Sequence, residues 1–309
     1  MSATITVGTA PDSWGVWFPD DPRQVGYTQF LDDVAAAGYE WIELGPYGFL
    51  PTDPTHLRDE LDARGLKLSA GTVGENLHLP GTWDAVWAEA SAVAALTAAA
   101  GGKHLVVLPA MYRDLQTGAP TEPDTLTSEQ WDSLTSGVDR LGKALREEYG
   151  LALQFHPHAD AHVATERHIT RLLEATDPTY VNLCLDTGHI AYVGSDNLAI
   201  IEAHPSRIGY LHLKQVDPQV MQQVRAQDMS FADAVIAGAM VEPPRGVPDF
   251  PSVLEAVAHL GTDVFAIVEQ DMYPCAPDAP LPIARRTSAY LGSCGVGAVR
   301  GLRAVHASA

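Results

Sequence analysis

The sequence predicts an α/β fold, a single-domain (β/α)8 TIM barrel, and three observations carry that expectation. Strand-like and helix-like segments alternate with a regular beat along the chain, eight of each strand-then-helix pair. The strand segments are near-continuous apolar runs, as parallel strands buried on both faces require. Polar and ionisable residues stand at or just beyond the C-terminal ends of at least five of these strands, where a closed barrel assembles its active site. An open doubly wound sheet is the competing architecture.

Taken in order, residues 5–8 form the first strand and 27–37 its helix. The second strand, 41–44, is followed by a helix over 56–64 that ends at Gly65, as a C-cap glycine would end it. The third strand covers 66–71, and a long helix over 83–100 closes at Gly101 and Gly102. The fourth strand, 104–108, is stopped by Pro109. The helix over 128–149 has Ser128 and Glu129 suited to its first turn. Strands over 151–155, 181–185, 207–213 and 264–268 complete the set, with helices near 165–175, 197–203, 250–260 and 281–291. One long connection, 217–248, follows the seventh strand, carries a helical piece near 229–236 and is expected to form a rim or lid. No linker divides the chain, so residues 1–309 are one expected domain, with a Gly/Ala/Arg-rich tail over 295–309 expected to fray.

A chain of 309 residues is the usual size for one such barrel. Apolar residues make up 46% and charged residues 19%, which provides for a large core and argues against disorder. Acidic residues number 39 against 19 basic ones, for a formal charge of -20. That field repels phosphate backbones and anionic lipid heads, so neither nucleic acid nor a membrane is an expected partner. Cys184, Cys275 and Cys294 form no CxxC pair and no disulfide framework. The opening MSATITVGTAPD has neither the charged nor the apolar region of a secretory leader, and the apolar stretch 90–102 is too short to span a bilayer. A cytoplasmic protein is expected.

The strand ends hold Glu43, Gln154 with His156 and His158, Asp186 with His189, His212 with Lys214, and Glu269 with Asp271. In a barrel these would converge on the mouth. The Gln154 carboxamide, the Asp186 and Glu269 carboxylates and the His212 imidazole make a mixed N/O set that suits Mn2+, Co2+, Zn2+ or Mg2+ and leaves positions open for a chelating substrate. Each residue alone has a plainer reading. Asp186 could cap a turn, His212 could be a core histidine, and His156-Pro157-His158 could be a solvent-facing loop. Their coincidence at successive strand ends favours a metal. Trp14 and Trp17, in a polar loop after the first strand, are expected to wall a pocket and stack on a sugar ring. Glu43, His189 and Asp271 are expected to contact substrate, and Cys184 to be core.

These residues, with the strings LCLDTGH, YLHLK and IVEQD, resemble the xylose-isomerase-like barrel family of sugar isomerases and epimerases. Within that family, GTAPDSW, ELGPYGFLP, FHPHADAHV and SFADAVIAGAMVEPPRGVPDF are similar to the inosose (2-keto-myo-inositol) dehydratases, and the likeness runs over residues 7–291. The resemblance implies a divalent metal, Mn2+ foremost, held by Asp186, His212 and Glu269, with Gln154 at the position where the isomerases carry a glutamate. A glutamine carbonyl can bind a hard cation but cannot act as a base. A symmetric two-glutamate proton shuttle is therefore unavailable, and the base must be Glu269, His156, His158 or Lys214. His156 has the strand periodicity to face the same side as Gln154, so a neutral histidine there or at His158 is expected to partner Glu269 across the substrate.

The chemistry so implied begins with removal of a proton α to the ketone of an unphosphorylated keto-sugar or keto-inositol. Loss of water is favoured over isomerisation or epimerisation, and expulsion of another β substituent from a 3-keto-glycoside is a further outcome of the same step. There is no Gly-rich phosphate loop, and Lys214 and Arg113 are the obvious basic residues near strand ends. The superfamily's metal-dependent endonucleases for abasic DNA are disfavoured by the charge of -20. Gln154 keeps open a non-catalytic alternative, a sugar-binding barrel or accessory subunit, and a homo-oligomer or a heteromeric partner subunit is compatible with the chain.

Overall fold

The protein is described by a computed structural model covering residues 4–295. Eight strands follow one another in sequence order around a closed barrel: β1 (Ile5–Thr9), β2 (Trp41–Glu43), β3 (Lys67–Glu75), β4 (His104–Pro109), β5 (Ala152–Phe155), β6 (Val181–Asp186), β7 (Ile208–Leu213) and β8 (Val264–Val268). Every neighbouring pair is parallel, and β8 closes the barrel on β1 in register from Ile5 opposite Val264 to Thr9 opposite Val268. The outer ring is built from α1 (Tyr27–Ala37), α2 (Pro54–Asp62), α3 (Trp83–Ala99), α4 (Ser128–Tyr149) and α5 (Glu166–Ala175). It continues through α6 (Thr187–Tyr192), α7 (Asn197–Ala203), α8 (Pro218–Gln227), α9 (Phe231–Ile236), α10 (Phe250–Ala258) and α11 (Pro280–Ser293). A 3-10 turn, Pro11–Trp14, follows β1.

Strand alternation explains the near-continuous apolar runs. Leu105, Val107, Leu153, Phe155, Leu183 and Leu211 face outward into the layer shared with the helices. Ala70, Val106, Cys184, Tyr210 and Ile267 face inward and fill the barrel itself, so Cys184 is core, as expected. The helices are held by the same logic. α4 buries Trp131, Leu134, Val138, Leu141 and Leu145 along one stripe. Its cap is Thr127, one residue before the expected start, with Gln130 completing a capping box.

The structure departs from the sequence reading in three places. β3 runs on to Glu75, four residues past the expected end at Gly71. Gly71 is a point of close approach, because a Cβ there would fall onto Thr97 and Val93 of α3. The six-residue α6 begins at Thr187 directly off β6 and is too short to show a helical period. The 217–248 segment holds two helices, α8 and α9, of which only the second was legible. Among the described residues no helix is long and apolar enough to cross a membrane. The tail beyond Gly295 lies outside the described residues.

Candidate active site at the C-terminal mouth

Asp186 ends β6 and serves two structures at once. Its Oδ1 accepts the His189 backbone N–H at 2.7 Å and caps α6. Its Oδ2 lies 3.3 Å from His156 Nε2, 3.3 Å from Lys214 Nζ and 3.8 Å from His212 Nδ1. The turn-capping and functional readings of this residue are thus compatible, one per oxygen. Glu269, just beyond β8, places Oε2 2.9 Å from His212 Nδ1 and 3.0 Å from Lys214 Nζ. His156, Asp186, His212 and Glu269 are all buried, and each offers one ligand atom within 4.8 Å of the others.

Gln154 is not in this group, and His156 stands in its place. Gln154 pairs with Asn182 across β5 and β6, four residues before Asp186 and so on the order of 13 Å deeper along the strand. There its Nε2 donates to His104 Nδ1 at 3.0 Å, on a ring that burial keeps neutral with a pKa near 4. It also packs where a Cβ on Gly209 would strike its Oε1. The parity argument was sound, since Gln154 and His156 face the same way. The error was one of depth, because the chain runs on past the end of β5 and places His156 one step nearer the mouth.

His156 consequently lies among the ligand-type atoms of this group. His158 Nδ1 donates to the Ala159 carbonyl at 2.7 Å, which leaves Nε2 as the lone-pair nitrogen. Burial, reinforced by His156, pushes its pKa down to about 3, so the ring is neutral. His189 accepts the Ala159 N–H at Nδ1, and burial with His158 beside it holds it well below 6.5. Lys214 is the opposite case. Burial penalises its charge, but Asp186, Asp271 and Glu269 outweigh that and hold the ammonium firmly on. Its stem runs against Gly188, where any Cβ would collide with it, which is a physical reason for glycine in DTGH.

The carboxylates outnumber the cation. Asp12, Glu43, Asp186, Glu269 and Asp271 line or border the mouth around one lysine. Burial and the nearby Glu269 push the Asp12 pKa well above its ordinary value, as excess negative charge in a low-dielectric site should. Burial alone would raise Glu269 as well, but His212 and Lys214 hold it down at about 2. Two observations bear on whether the set fits a divalent cation. His212 Nδ1 is buried without a hydrogen-bond partner, although it is only 2.9 Å from Glu269 Oε2. The donors also converge from separate strand ends in an N2O2 set that suits a borderline or hard dication, with His156 Nε2 in hydrogen-bond contact with Asp186 Oδ2 at 3.3 Å. The residues fit.

The mouth opens into a cavity of about 570 Å³. Its floor is the charged cluster, and its walls include Trp17, Tyr47, Met111, Leu115 and Phe231. Trp17 is held by its Nε1 donating to Asp271 Oδ1 at 2.9 Å and by stacking on Tyr273. Trp14 is different from the expectation. It is fully buried, packs edge-on against Phe30 and donates to Asp33 at 3.2 Å, so it is core and not a pocket wall. Helical turn formation at Pro11–Trp14 explains the difference, because it turns Trp14 inward while Asp12 faces the mouth. Asp12 and Phe231 escaped the sequence reading. Asp12 was legible as one more carboxylate just past a strand end, whereas Phe231 comes from an insertion whose placement has no local signal.

Residues 31–293 match the xylose isomerase-like TIM barrel family. The inosose dehydratase of Geobacillus thermodenitrificans is 31% identical over 300 residues, 94% of this chain and 98% of that protein. That of Lacticaseibacillus casei is 30% identical over 295 residues, 94% of this chain and 96% of that protein. Among solved structures, the IolI protein with a bound zinc atom aligns with a TM-score of 0.70 at 16% identity, over 94% of this chain and 98% of that one. The 3-keto-D-glucoside 4-epimerase of E. coli aligns at 0.65 and 14% identity, over 94% and 100%. At those identities the structural likeness speaks for the fold alone. The sequence relatives and the family match together make this chain an enzyme of the xylose isomerase-like TIM barrel family.

Proposed function

We propose that this enzyme is a divalent-metal-dependent lyase that removes water from a keto-inositol, as the relatives named inosose dehydratase do by their name. The observation that carries the reading is the buried convergence of His156, Asp186, His212 and Glu269 beneath a cavity that also presents a neutral histidine and a charged lysine. A Mn2+-class cation held by these four side chains would polarise the substrate ketone and acidify the neighbouring C–H.

His158 Nε2, lone pair free and ring neutral, takes the proton α to the ketone. The electron pair of that C–H bond becomes the new C=C bond as the β-carbon's bond to its hydroxyl breaks. Lys214 Nζ, kept charged by its carboxylates, supplies the proton with which the hydroxyl leaves as water. Their surroundings hold His158 in its proton-accepting form and Lys214 in its proton-donating form. Asp271 orients both Lys214 (2.9 Å) and Trp17 (2.9 Å), linking the donor to the wall on which a ring face can rest. Phe231 and Leu115 exclude water from the same space.

Epimerisation is the second reading, because the same acid and base could return the proton to the opposite face, and the absence of a carboxylate at His156 weighs against it. Incubation of the purified chain with Mn2+ and 2-keto-myo-inositol in D2O, followed by proton NMR, separates them. The account expects a dehydrated product. Exchange of the α proton with the carbon skeleton fully hydroxylated would support epimerisation instead, and neither change would remove both readings.

A further inference from the structure

A second set of ligand-type side chains lies outside the site just described. His78 follows β3, Glu122 lies in the loop after β4, and His162 in the loop after β5. His78 Nε2 is 2.8 Å from Glu122 Oε2, and His162 Nε2 is 3.9 Å from the same oxygen. The two imidazole rings lie with centroids 4.6 Å apart. Both histidine side chains are 2% exposed and Glu122 is 28% exposed, so the pair is sealed inward and opens to solvent past the carboxylate.

Hydrogen bonding within the loops does not use up this arrangement. His78 has the carboxylate, and His162 Nε2 donates to the Pro123 carbonyl at 3.1 Å, which leaves Nδ1 as the lone-pair nitrogen of that ring, buried with no partner. Each residue offers a ligand atom within 4.8 Å of the others, against the roughly 3.3 Å that separates ligands about a tetrahedral ion with bonds of about 2.0–2.1 Å. Binding would require the ligand atoms to draw closer by up to about 1.5 Å. Two imidazoles and one carboxylate select a borderline cation, Zn2+ or Co2+, over Mg2+ or Ca2+, which take oxygen sets.

We propose that His78, Glu122 and His162 form a second divalent-cation site of the Zn2+ class, with water from the open side as its fourth ligand. None of the three lines the catalytic cavity. The ion would be structural, tying together the loops after three successive strands, the last of which carries His156 and His158. Metal held this way contributes directly to the order of those loops.

Dialysis of the full chain against Zn2+, followed by elemental analysis, tests this. About two equivalents per chain are expected, falling to about one in Glu122→Gln, in His78→Ala and in Asp186→Ala, and to none in the Glu122→Gln, Asp186→Ala double variant. Co2+ in the Asp186→Ala protein should give the visible absorption of a tetrahedral imidazole site, lost when Glu122→Gln is added. Should His78→Ala fail to fold by circular dichroism, Glu122→Gln decides, since it leaves both buried rings in place. A single equivalent that Asp186→Ala abolishes, or a stoichiometry that Glu122→Gln leaves unchanged, overturns the proposal. A single equivalent that survives Asp186→Ala and is lost in Glu122→Gln supports it, and counts only against the catalytic metal.

Discussion

Glu43 Oε1 lies 2.9 Å from His212 Nε2, so a glutamate on β2 reaches across the barrel mouth to a histidine on β7. That contact assigns the Nε2 proton and turns Nδ1 toward Asp186 and Glu269. Carboxylates behind ligating imidazoles fix the tautomer and raise ligand basicity. Glu43, expected from sequence to touch substrate, has this orienting contact as well as a place in the cavity lining. Glu43→Ala should therefore weaken Mn2+ binding by about 10- to 100-fold, the usual effect of losing such a partner. Glu43→Gln should lose less, because its carbonyl can still accept from Nε2–H. Competitive metal titration measures both, and unchanged affinity in Glu43→Ala would remove the orienting role.

On the proposed function, ligand and base roles separate just beyond β5. His156→Ala should lose bound metal, whereas His158→Ala should retain it and lose turnover by on the order of 10²–10⁴-fold. Elemental analysis alongside steady-state kinetics distinguishes the two. Metal loss in His158→Ala, or a normal rate, would return the base role to Glu269 or Lys214.

The two tryptophans should behave in opposite ways. Trp14→Ala removes a fully buried ring and should lower unfolding stability by about 3–5 kcal/mol. Trp17→Ala should cost much less stability and instead raise the Michaelis constant, because Trp17 lines the cavity. Urea unfolding and kinetics on both variants check this, and equal stability losses would contradict it.

Glu75 gives the protein a pH dependence unrelated to catalysis. Burial pushes its pKa up from 4.5 to about 8, with only the Leu77 N–H at 2.5 Å opposing it. The folded state thus holds this proton more tightly than the unfolded chain does. Its contribution to stability is complete below the unfolded value and is lost as pH rises through about 8. Glu75→Gln keeps the acceptor for Leu77 and removes the titration. Relative to the native chain it should gain on the order of 2–4 kcal/mol between about pH 5 and pH 9. Parallel pH profiles in urea unfolding would show that Glu75 does not titrate in this way.

Much of this architecture was legible because parallel strands buried on both faces write themselves as apolar runs, and α1, α4, α7 and β8 fall where the pattern placed them. The mouth was legible for a related reason: a chain that reaches Asp186, His212 or Glu269 at or next to a strand end is leaving the apolar interior. Depth along a strand was not legible. Gln154 and His156 share a face, and only the register of β5 against β6 tells which one reaches the mouth. Trp14 was misplaced because a 3-10 turn, set by Pro11 and the left-handed Gly15, reverses the side a loop residue faces. Glu43 carried its own signal as a carboxylate ending β2, but its partner sits 169 residues away and only closure of the barrel brings them together.

On the proposed function, turnover depends on a cation held by His156, Asp186, His212 and Glu269. Chelator-stripped protein assayed for dehydration of 2-keto-myo-inositol, with Mn2+ added back stepwise, tests it most directly. No turnover is expected after stripping, with recovery in proportion to occupancy of this cluster and none in Asp186→Ala at any Mn2+ concentration that restores the native chain. Full turnover by the stripped protein, or a native rate in Asp186→Ala, would contradict it.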